Sequence, residues 1–486
     1  MLYSFRPVYI LCFLLLLLQK ISGQSNFALT GSAYAGNLGI YLNPASSLSS
    51  KDSIDISLPS LQFINNTNFV NFGFAPLLSK NPNLTIEHSK GDYDRDLIAN
   101  LKISLIGVKY KISPKTAIGF GMNLRSFINI QTSHYNFTDS STDIFSFLEQ
   151  NTGSLPFKAN ASSSNWLEYV GNISHNLIDK RRYILNVGAN LSINKGLLGL
   201  AGSLDNLQYR KYKFLGTDVF EATNADFVYG YSANAILWDN TLKPTQNVKN
   251  IIRAGKTGAS IDLGAELLLK NSSESDWFYE GLDYNYTWKL GFSILDLGFA
   301  KYEYFSESAK SSGMRPNMTP DVLLDKFTGV IENIADFNDT LSTVVSNFEN
   351  LKGNFKIYHP SKFIINVDKR ISNYLYINTS VAVPFSIVNR STNYVLKDVA
   401  FLSITPRMET RRFGLYIPFS YNTKTQFHLG VGLRAGPLLF GVNNLNIFNN
   451  SQSLQNTSGY LSLLFKWKRK EKKINYNFLR SPKLVL

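Results

Sequence analysis

Cysteine is almost absent from the sequence. The one cysteine among 486 residues, Cys12, lies within the first 23 residues, which we predict to be removed on export. The remaining chain then has no thiol, which excludes disulfide bonds, cysteine nucleophiles and thiolate metal sites. Charged residues are also scarce, at 17%, and the mean hydropathy is close to neutral at −0.09. This composition fits neither a helical membrane protein nor an ordinary charged soluble protein.

Long apolar runs are lacking after the N-terminus. Arg6, the apolar run Val8–Leu18 and the small residues that end at Gly23 predict a signal peptide over residues 1–23. A transmembrane anchor is the alternative, but the run is too short, and no comparably long apolar run follows it. The exported chain therefore has no helix that would stop in the inner membrane, as an outer-membrane protein requires.

Motifs for catalysis, metal binding and nucleotide binding are lacking too. The five histidines are scattered, and none belongs to an HExxH or paired-ligand motif. No G-x-S-x-G sequence occurs, and the net charge of +14 is not accompanied by a nucleic-acid-binding module. We therefore predict no metal, no cofactor, no nucleic-acid partner and no enzymatic activity. The positive charge indicates either solubility or contact with a phosphate-rich membrane surface.

Alternation of apolar and polar residues is the main signal that is present. In Tyr183–Ile193 (YILNVGANLSI) every second residue from Tyr183 is apolar, and only Ile184 breaks the pattern. This pattern predicts a strand with one apolar and one wet face. Roughly 9–11 residues of tilted strand cross the hydrocarbon layer of a membrane, so this segment is long enough to span one.

The same pattern recurs over most of the chain. A soluble sandwich also alternates, but in lipid only a closed barrel satisfies a β-strand's backbone, and the exported, long-stranded chain favours the membrane. We predict an all-β fold, a transmembrane antiparallel β-barrel of about 14 strands, with 12 to 16 acceptable, formed by residues 51–467. The predicted strands include residues 101–112, 118–130, 166–175, 183–193, 227–237, 259–269, 413–421, 427–433 and 459–467.

The phase of the alternation predicts which polar side chains face the lumen. Polar lining is what water or a polar plug inside a barrel requires. An alternative, in which these residues build a catalytic site, has no linear motif to support it. The predicted lumen-lining residues are Asn123, Arg125, Asn186, Asn190, Asp262, Glu266, His428 and Arg434.

Two long segments interrupt the strands and are predicted extracellular loops, residues 136–164 and 306–353. Thr319 followed by Pro320 predicts the start of a helix in the second loop. We expect its apolar face to cover either the barrel mouth, which we favour, or a partner. The basic tail, residues 468–486, either stays in the periplasm against anionic lipid or peptidoglycan or is a solvated end. The predicted capture or docking face comprises Val322, Leu323, Phe327, Val330, Ile331, Ile334 and Phe337.

The N-terminal segment carries a resemblance to known outer-membrane proteins. It is rich in small residues, with Gly36-Asn37 followed by Asn43-Pro44-Ala45. This segment resembles the start of FadL-like long-chain fatty acid transporters and of the related PorV-type proteins of the type IX secretion system. The resemblance implies that residues 24–50 fold back into the barrel as a hatch, or plug, that contains Asn43, Pro44 and Ala45. From composition alone, a surface turn is the alternative.

Short phrases elsewhere carry a second resemblance. Ile261-Asp262-Leu263-Gly264 recurs as Leu295-Asp296-Leu297-Gly298, and both occur together with Thr405-Pro406-Arg407 and with Phe413–Pro418. These phrases resemble an outer-membrane family that is described only as a domain of unknown function. The resemblance implies a barrel in the outer membrane and says little about activity.

Three functions follow as hypotheses. The first is passage or binding of hydrophobic or amphiphilic solutes, as the likeness to fatty acid transporters implies. The second is a scaffold or assembly role for exported proteins, as the PorV-type likeness implies, with the loop at 306–353 as the docking element. The third, an outer-membrane hydrolase, lacks any nucleophile and base that the sequence identifies. The expected partners are outer-membrane lipid and either hydrophobic small molecules or exported proteins.

Overall fold

The structure is a computed structural model. It describes residues 29–50, 52–74, 84–139, 144–153, 156–270, 286–328, 331–389, 393–422, 425–445 and 456–467. The expected signal peptide and basic tail lie outside the described residues.

Strands make up most of the described chain. The described residues include four α-helices, α1 (Ile144–Gln150), α2 (Pro244–Ala254), α3 (Pro320–Phe327) and α4 (Ile334–Val344), with 3₁₀ helices at Gly36–Tyr41, Pro44–Leu48 and Ala233–Ile236. None of the described helices has the length and apolar character needed to cross a membrane. The strands are β1 (Ile54–Thr67), β2 (Val70–Phe74), β3 (Leu84–His88), β4 (Gly91–Tyr93), β5 (Asp96–Ser113), β6 (Thr116–Thr132), β7 (Tyr135–Phe137), β8 (Phe157–Asp179), β9 (Tyr183–Phe214), β10 (Thr217–Tyr231), β11 (Thr257–Leu269), β12 (Trp288–Glu303), β13 (Ala309–Met314), β14 (Val345–Asn350), β15 (Asn354–Tyr358), β16 (Lys362–Arg370), β17 (Leu375–Pro384), β18 (Tyr394–Val395), β19 (Phe401–Glu409), β20 (Phe413–Tyr416), β21 (Phe419–Asn422), β22 (Thr425–Leu429), β23 (Val431–Ala435), β24 (Leu438–Val442) and β25 (Asn456–Trp467).

The main sheet closes into a barrel. Strand β1 pairs in antiparallel fashion with its neighbour β5 on one side and with the last strand, β25, on the other. Around the wall the order is β1, β5, β6, β8, β9, β11, β12, β15 with β16, β17, β19, β20 with β21, β22 with β23, β24 and β25. Three positions consist of two short strands in line, so the wall has 14 strands. The predicted barrel of about 14 antiparallel strands is confirmed.

The outer and inner faces of the wall differ as the alternation predicts. On β9, the outward side chains of Leu191 and Ile193 are 65% and 56% exposed, whereas the inward side chains of Asn190 and Asn194 are fully buried. The apolar outer face is suited to contact with lipid. Closure pairs every strand with two neighbours, so that no backbone group is left without a partner in the hydrocarbon layer. The protein is therefore an outer-membrane β-barrel.

The two ends of the barrel have connections of different length. Short turns such as residues 114–115, 180–182 and 436–437 join strands at one end, where Ile54 of β1 also pairs with Trp467 of β25. Long connections, among them residues 68–95 and 304–353, leave the other end. Because outer-membrane barrels have short periplasmic turns and long extracellular loops, the first end faces the periplasm.

Strand β9 continues far beyond the membrane. Its 32 residues exceed what a crossing needs, and its second half pairs with β10, which in turn pairs with β13. The predicted strand over residues 227–237 belongs to this extension and ends at Tyr231, where a 3₁₀ helix follows shortly. Alternation shows only that one face of a strand is shielded from water, by lipid or by protein. Here the loop helices shield the apolar face of β10, since Phe337 of α4 packs against Tyr229.

The predicted loops contain more strand than the sequence indicates. Strand β8 begins at Phe157, inside the segment 136–164, and the segment 306–353 contains β13 and β14 as well as α3 and α4. Outside the membrane both faces of a strand meet polar surroundings, so residues 157–164 lack the alternation by which a membrane strand is found.

The predicted strand at 413–421 is divided into β20 and β21 at Ile417-Pro418, since proline cannot donate to the ladder.

Cysteines at Ser60 and Ser462 should form a disulfide that joins β1 to β25, because the two hydroxyl oxygens lie 2.6 Å apart. After the expected removal of Cys12 the chain has no other thiol. Oxidised membranes of the Ser60→Cys/Ser462→Cys variant should give a species of altered mobility on denaturing gels that reverts on reduction. The matched pair Ser192→Cys/Ser462→Cys faces the same interior from β9 and β25, which are not neighbours. Equal cross-linking of both pairs would contradict closure at β1 and β25.

Candidate functional site: the lumen and its N-terminal segment

The N-terminal segment Leu29–Ser50, here called the hatch segment, lies inside the barrel. It forms two short 3₁₀ helices, and its side chains are almost entirely buried, including Leu38, Ile40 and Ala45, which are fully inaccessible. Small residues allow this, because a chain of Gly, Ala and Ser can approach the wall closely. Residues 24–28 of the predicted plug lie outside the described residues.

The Asn-Pro-Ala motif contacts the wall directly. The Asn43 Oδ1 atom accepts a hydrogen bond of 3.0 Å from the Ala45 amide and so caps the second 3₁₀ helix, which begins at Pro44. The Asn43 Nδ2 group donates to the Ala265 carbonyl at 2.9 Å, on β11. The motif is buried beside β11, and the plug role of Asn43, Pro44 and Ala45 stays a prediction.

Two wall glycines make room for this motif. A Cβ atom on Gly188 would lie 2.5 Å from the Pro44 carbonyl carbon, and one on Gly264 would lie 2.2 Å from the Asn43 Oδ1 atom. Both distances are far below van der Waals contact. These glycines of β9 and β11 are therefore required by the approach of the hatch segment rather than by a turn.

Wall side chains bind the backbone carbonyls of the hatch segment along its length. The Pro44 carbonyl accepts from Ser174 Oγ at 2.7 Å and Asn172 Nδ2 at 3.1 Å. Before Pro44 in the segment, the Ile40 carbonyl accepts from Asn190 Nδ2 at 3.0 Å, and the Leu42 carbonyl accepts from Ser293 Oγ at 2.8 Å. The donors lie on β8, β9 and β12. Inward polar residues of the wall thus satisfy backbone groups that would otherwise be buried without partners.

The opposite side of the hatch segment is apolar. Four of its residues pack in one cluster with residues of β20, β24 and β25. The hatch segment is therefore held by hydrogen bonds on the side of β8 to β12 and by apolar contact on the side of β20 to β25. This cluster consists of Leu29, Ala35, Leu38, Leu42, Tyr416, Leu439, Tyr460 and Leu464.

A buried ionic cluster holds the beginning of the hatch segment near the periplasmic end. The Arg407 guanidinium pairs with Asp368 (2.5 Å) and Glu409 (2.9 Å), and all three side chains are inaccessible to solvent. Arg407 also donates to the Gly31 carbonyl at 3.2 Å, and Ser32 donates to Glu409. The alternation of the sequence does not predict this cluster, because it identifies the residues that line the lumen but not which of them contact each other.

The predicted lumen-lining residues fall into separate groups. Asn123 and Arg125 bind Glu168 (2.7 and 3.1 Å), and Asp262 accepts from Asn190 at 2.9 Å. The others contact the hatch segment or other parts of the wall. Glu266 binds Ser49; Arg434 donates to turn carbonyls and stacks on Tyr34; Asn186 accepts from Asn176; and His428 lines a second cavity with Asn422 and Ser420.

A small cavity lies beside the hatch segment on its polar side, and we call it the chamber. Its volume is about 70 Å³, and Tyr41 and Leu42 form part of its lining. Six of the twelve wall residues that line it are charged, which is an unusual density of charge for an interior. They are Lys102, Arg125, Glu168, Asp262, Asp296 and Lys362.

A bulge in β12 sets the geometry of the chamber. The pairing of β11 with β12 shifts between Ile261 and Leu263, so that Leu295 and Asp296 both face Asp262. Asp296 has a φ of +60°, rare for a residue other than glycine. Its carboxylate is thereby brought to Arg125, with contacts of 2.5 and 3.2 Å. The sequence shows Asp296 only as part of a repeated phrase, since a bulge changes the phase of the alternation.

The ring of Tyr41 connects the hatch segment to the chamber. The Lys102 ammonium lies 3.2 Å from the centre of this ring. Burial raises the pKa of the Tyr41 hydroxyl, and the charge of Glu168 raises it further. Tyr41 therefore stays neutral at any physiological pH and presents a π face to the cation. Gly121 leaves space for it, since a Cβ there would lie 2.1 Å from the hydroxyl oxygen.

An apolar cluster, here called the extracellular cluster, fills the lumen on the extracellular side of the chamber. The loop after β18 contributes Leu396 and Val399, and inward side chains of β5, β6, β8, β12 and β15 complete it. Trp166 belongs to this cluster and also stacks on Arg125 of the chamber at 4.8 Å. The principal members are Ile98, Phe127, Trp166, Tyr302, Phe355 and Leu396.

The predicted capture face is divided in the structure. Val322, Leu323 and Phe327 lie on α3, and Ile334 and Phe337 lie on α4, but Ile331 lies between these helices and Val330 is outside the described residues. Phe337 packs against Phe327 and against Tyr229 of β10. The aromatic part of the face thus attaches the loop to the β9 and β10 extension. Within the described residues, no group of His, Cys, Asp and Glu side chains is arranged to hold a metal.

Comparison with known protein families identifies the family of the chain. The profile of a family of unknown function, DUF5723, matches residues 44–443. The protein belongs to this family. The match begins at Pro44 of the hatch segment and includes the bulge at Asp296. No curated protein sequence matches the chain significantly.

Solved structures of outer-membrane barrels are similar to this DUF5723 protein. A FadL homologue of Pseudomonas aeruginosa has 10% identity and a TM-score of 0.41, over 91% of this chain and 97% of that one. The Ralstonia pickettii toluene transporter TbuX has 10% identity and a TM-score of 0.40, over 92% and 98%. The Pseudomonas putida toluene transporter TodX has 9% identity and a TM-score of 0.33, over 92% and 95%.

Valine at Gly188 or Gly264 should displace the Asn-Pro-Ala motif from the wall. A cysteine at Ser47, which is buried beside Asn172, reports this through its reaction with a soluble maleimide. Overpacking costs ~1–3 kcal/mol, so labelling should rise roughly tenfold. Gly171→Val is the matched control, because the nearest atom to a Cβ there is 3.9 Å away. Equal labelling of all three variants would contradict close contact at the motif.

Proposed function

We propose that the protein is a gated outer-membrane channel for amphiphilic solutes, in which the hatch segment closes the periplasmic half of the lumen. The observation that carries the proposal is the way the segment is bound. Around the Asn-Pro-Ala motif, on the side of β8 to β12, neutral side chains bind its backbone carbonyls, whereas Lys289 of β12 binds the Gly31 carbonyl near its start. Each such bond contributes only ~0.5–1.5 kcal/mol because water can replace it. A segment bound in this way can leave the wall without unfolding the barrel.

The size of the chamber requires that the hatch segment moves. Binding sites for small molecules have volumes of roughly 300–1,000 Å³, whereas the chamber has about 70 Å³. A solute larger than a few water molecules therefore needs the space that Tyr41 and Leu42 occupy. Movement away from the hydrogen-bonded side enlarges the chamber, while the apolar side of the segment remains in contact with β20, β24 and β25.

The order of surfaces along the lumen supports the amphiphilic class. A solute that enters from outside first meets the extracellular cluster, which is apolar and aromatic, and then the charged chamber. A purely polar solute gains nothing from the first surface, and a purely apolar solute must desolvate charges in the second. A molecule with an apolar part and a charged part matches both surfaces at once.

The role as a scaffold for exported proteins receives less support. It requires an exposed apolar face on the loop at 306–353, but Phe337 packs on Phe327 and Tyr229 within the chain. The same packing argues against this face as the site of solute capture. The residues of the lumen are therefore the ones that support the proposed function.

Deletion of residues 29–50 should open the barrel. The wall residues on the hydrogen-bonded side are polar and would be hydrated, and the apolar surface uncovered on the other side is confined to β20, β24 and β25, so the barrel should still fold. In a liposome swelling assay, we expect the uptake of a small amphiphile to rise about tenfold or more, as in a water-filled porin. Uptake equal to that of the full chain would contradict a closing role for the hatch segment.

A tethered variant provides the complementary control in the full chain. Asn37 Nδ2 donates to Ser57 Oγ at 3.0 Å, so cysteines at these two positions can join the segment to β1. The oxidised Asn37→Cys/Ser57→Cys protein should take up no solute above the background of empty liposomes. A reductant should restore the rate of the untreated wild type. Transport that continues through the oxidised protein would show that solute passes without movement of this segment.

A further inference from the structure

Two opposite charges in the chamber have no ion-pair partner among the described residues. Lys102 lies on β5, where its ammonium lies over the ring of Tyr41, and the charges of Glu168, Asp296 and Asp262 act on it at longer range. Asp262 lies on β11 and accepts two neutral hydrogen bonds, from Asn190 Nδ2 (2.9 Å) and from the Asp296 amide (2.7 Å). Both residues line the same cavity of about 70 Å³.

The other charges of the chamber are already neutralised. Arg125 lies between Glu168 (3.1 Å) and Asp296 (2.5 Å), and Lys362 pairs with Asp398 at 2.9 Å. A buried charge is costly unless a partner of opposite sign binds it. Lys102 and Asp262 are therefore the two groups of the chamber that an additional ligand can satisfy.

We infer that the chamber binds a zwitterionic head group, with the carboxylate of the solute on Lys102 and its ammonium on Asp262. About 70 Å³ corresponds to roughly two waters at ~30 Å³ each, which is less than an ammonium, its carbon and a carboxylate occupy, so the head group also takes space that Tyr41 must leave. The apolar part of the solute extends toward Trp166, which contacts Arg125 at the border of the extracellular cluster. This inference rests on the proposed function, because it specifies the charged part of the amphiphile.

Solutes with a single charge match the chamber less well. A simple carboxylate would pair with Lys102 but would come close to the Asp262 carboxylate. An alkylammonium would pair with Asp262 and meet Lys102. In either case one buried charge stays uncompensated and one like-charge contact is added. Only a ligand with both signs satisfies both wall residues.

Binding of the head group also connects the solute to the hatch segment. The Lys102 ammonium contacts the Tyr41 ring, and a carboxylate that binds Lys102 competes for the same cation. A charged partner is stronger than a ring in a low-dielectric interior. Solute binding therefore removes one contact that holds Tyr41 in place, and so favours movement of the hatch segment.

The test uses three probes that share one apolar part: free L-leucine, 4-methylpentanoate and 3-methylbutylamine. The full-length protein in maltoside is titrated by calorimetry, since a zwitterionic detergent would compete. A second preparation carries Leu396→Ser, which weakens the extracellular cluster and admits the probe. We expect leucine to bind at least about tenfold more tightly than either singly charged probe, because each lacks one charged hydrogen bond.

Variants of the two wall residues identify the site. Lys102→Met and Asp262→Asn should each lower leucine affinity about tenfold, while Lys102→Met should affect 3-methylbutylamine least. Asn at 262 removes the charge and keeps one of the two hydrogen bonds, because its Oδ1 can replace only one of the carboxylate oxygens that accept from Asn190 and from the Asp296 amide. Lys115→Met, in the exposed turn after β5, is the matched control and should leave binding unchanged. Leucine binding that is absent, or equal to that of the other probes, in both preparations overturns the inference. Leucine binding that Lys102→Met and Asp262→Asn do not weaken overturns it too.

The outcome is separable from that of the proposed function. If deletion of residues 29–50 opens the barrel but leucine shows no preference, the head-group site is wrong and the gated channel stands. If leucine binds through Lys102 and Asp262 but the deletion leaves uptake unchanged, the site stands and the gating role is wrong.

Discussion

The structure depends on one constraint: a backbone in lipid has no water to bind, so every strand needs two neighbours. Pairing of β1 with β25 meets this need and removes the free edges. Closure also creates an interior that lipid cannot fill. Fourteen strands enclose more space than their own side chains occupy. The chain fills that space with the hatch segment on the periplasmic side and the extracellular cluster on the other, and the chamber borders both.

The two fillings of the lumen differ in chemistry. The extracellular cluster is held by apolar contact, including Trp166, Tyr302 and Leu396, and excludes water. The hatch segment is bound largely through its carbonyls, by donors such as Ser174 and Asn190. Water competes with hydrogen bonds but not with apolar packing. In the proposed channel we therefore expect the polar side of the hatch segment to open first, and it is also the side that borders the chamber.

The sequence predicts the wall well and the interior poorly. Alternation reports which face of a strand touches lipid, so the outward Leu191 and the inward Asn190 and Arg125 could be assigned before the structure. It carries no information about which inward residues meet across the lumen. Arg407 with Asp368, or Lys102 with Tyr41, join positions distant in the chain. Where both faces are wet, as in residues 157–164, or where a bulge shifts the phase, as at Asp296, the signal disappears.

Charged side chains bind the hatch segment near both of its ends, with Lys111 and Glu266 at the second end, and this arrangement limits how the segment can move. Its first residues meet Arg407, whose charge is compensated by Asp368 and Glu409 inside a water-free cluster, and Leu29 packs on the apolar wall. The Asn-Pro-Ala motif has only neutral hydrogen bonds and a glycine-lined space. Separating a buried charged cluster from its partners costs several times more than exchanging neutral bonds for water. We therefore expect the motif to leave the wall while residues near Gly31 stay bound, so that opening is a local displacement inside the barrel rather than expulsion of the segment.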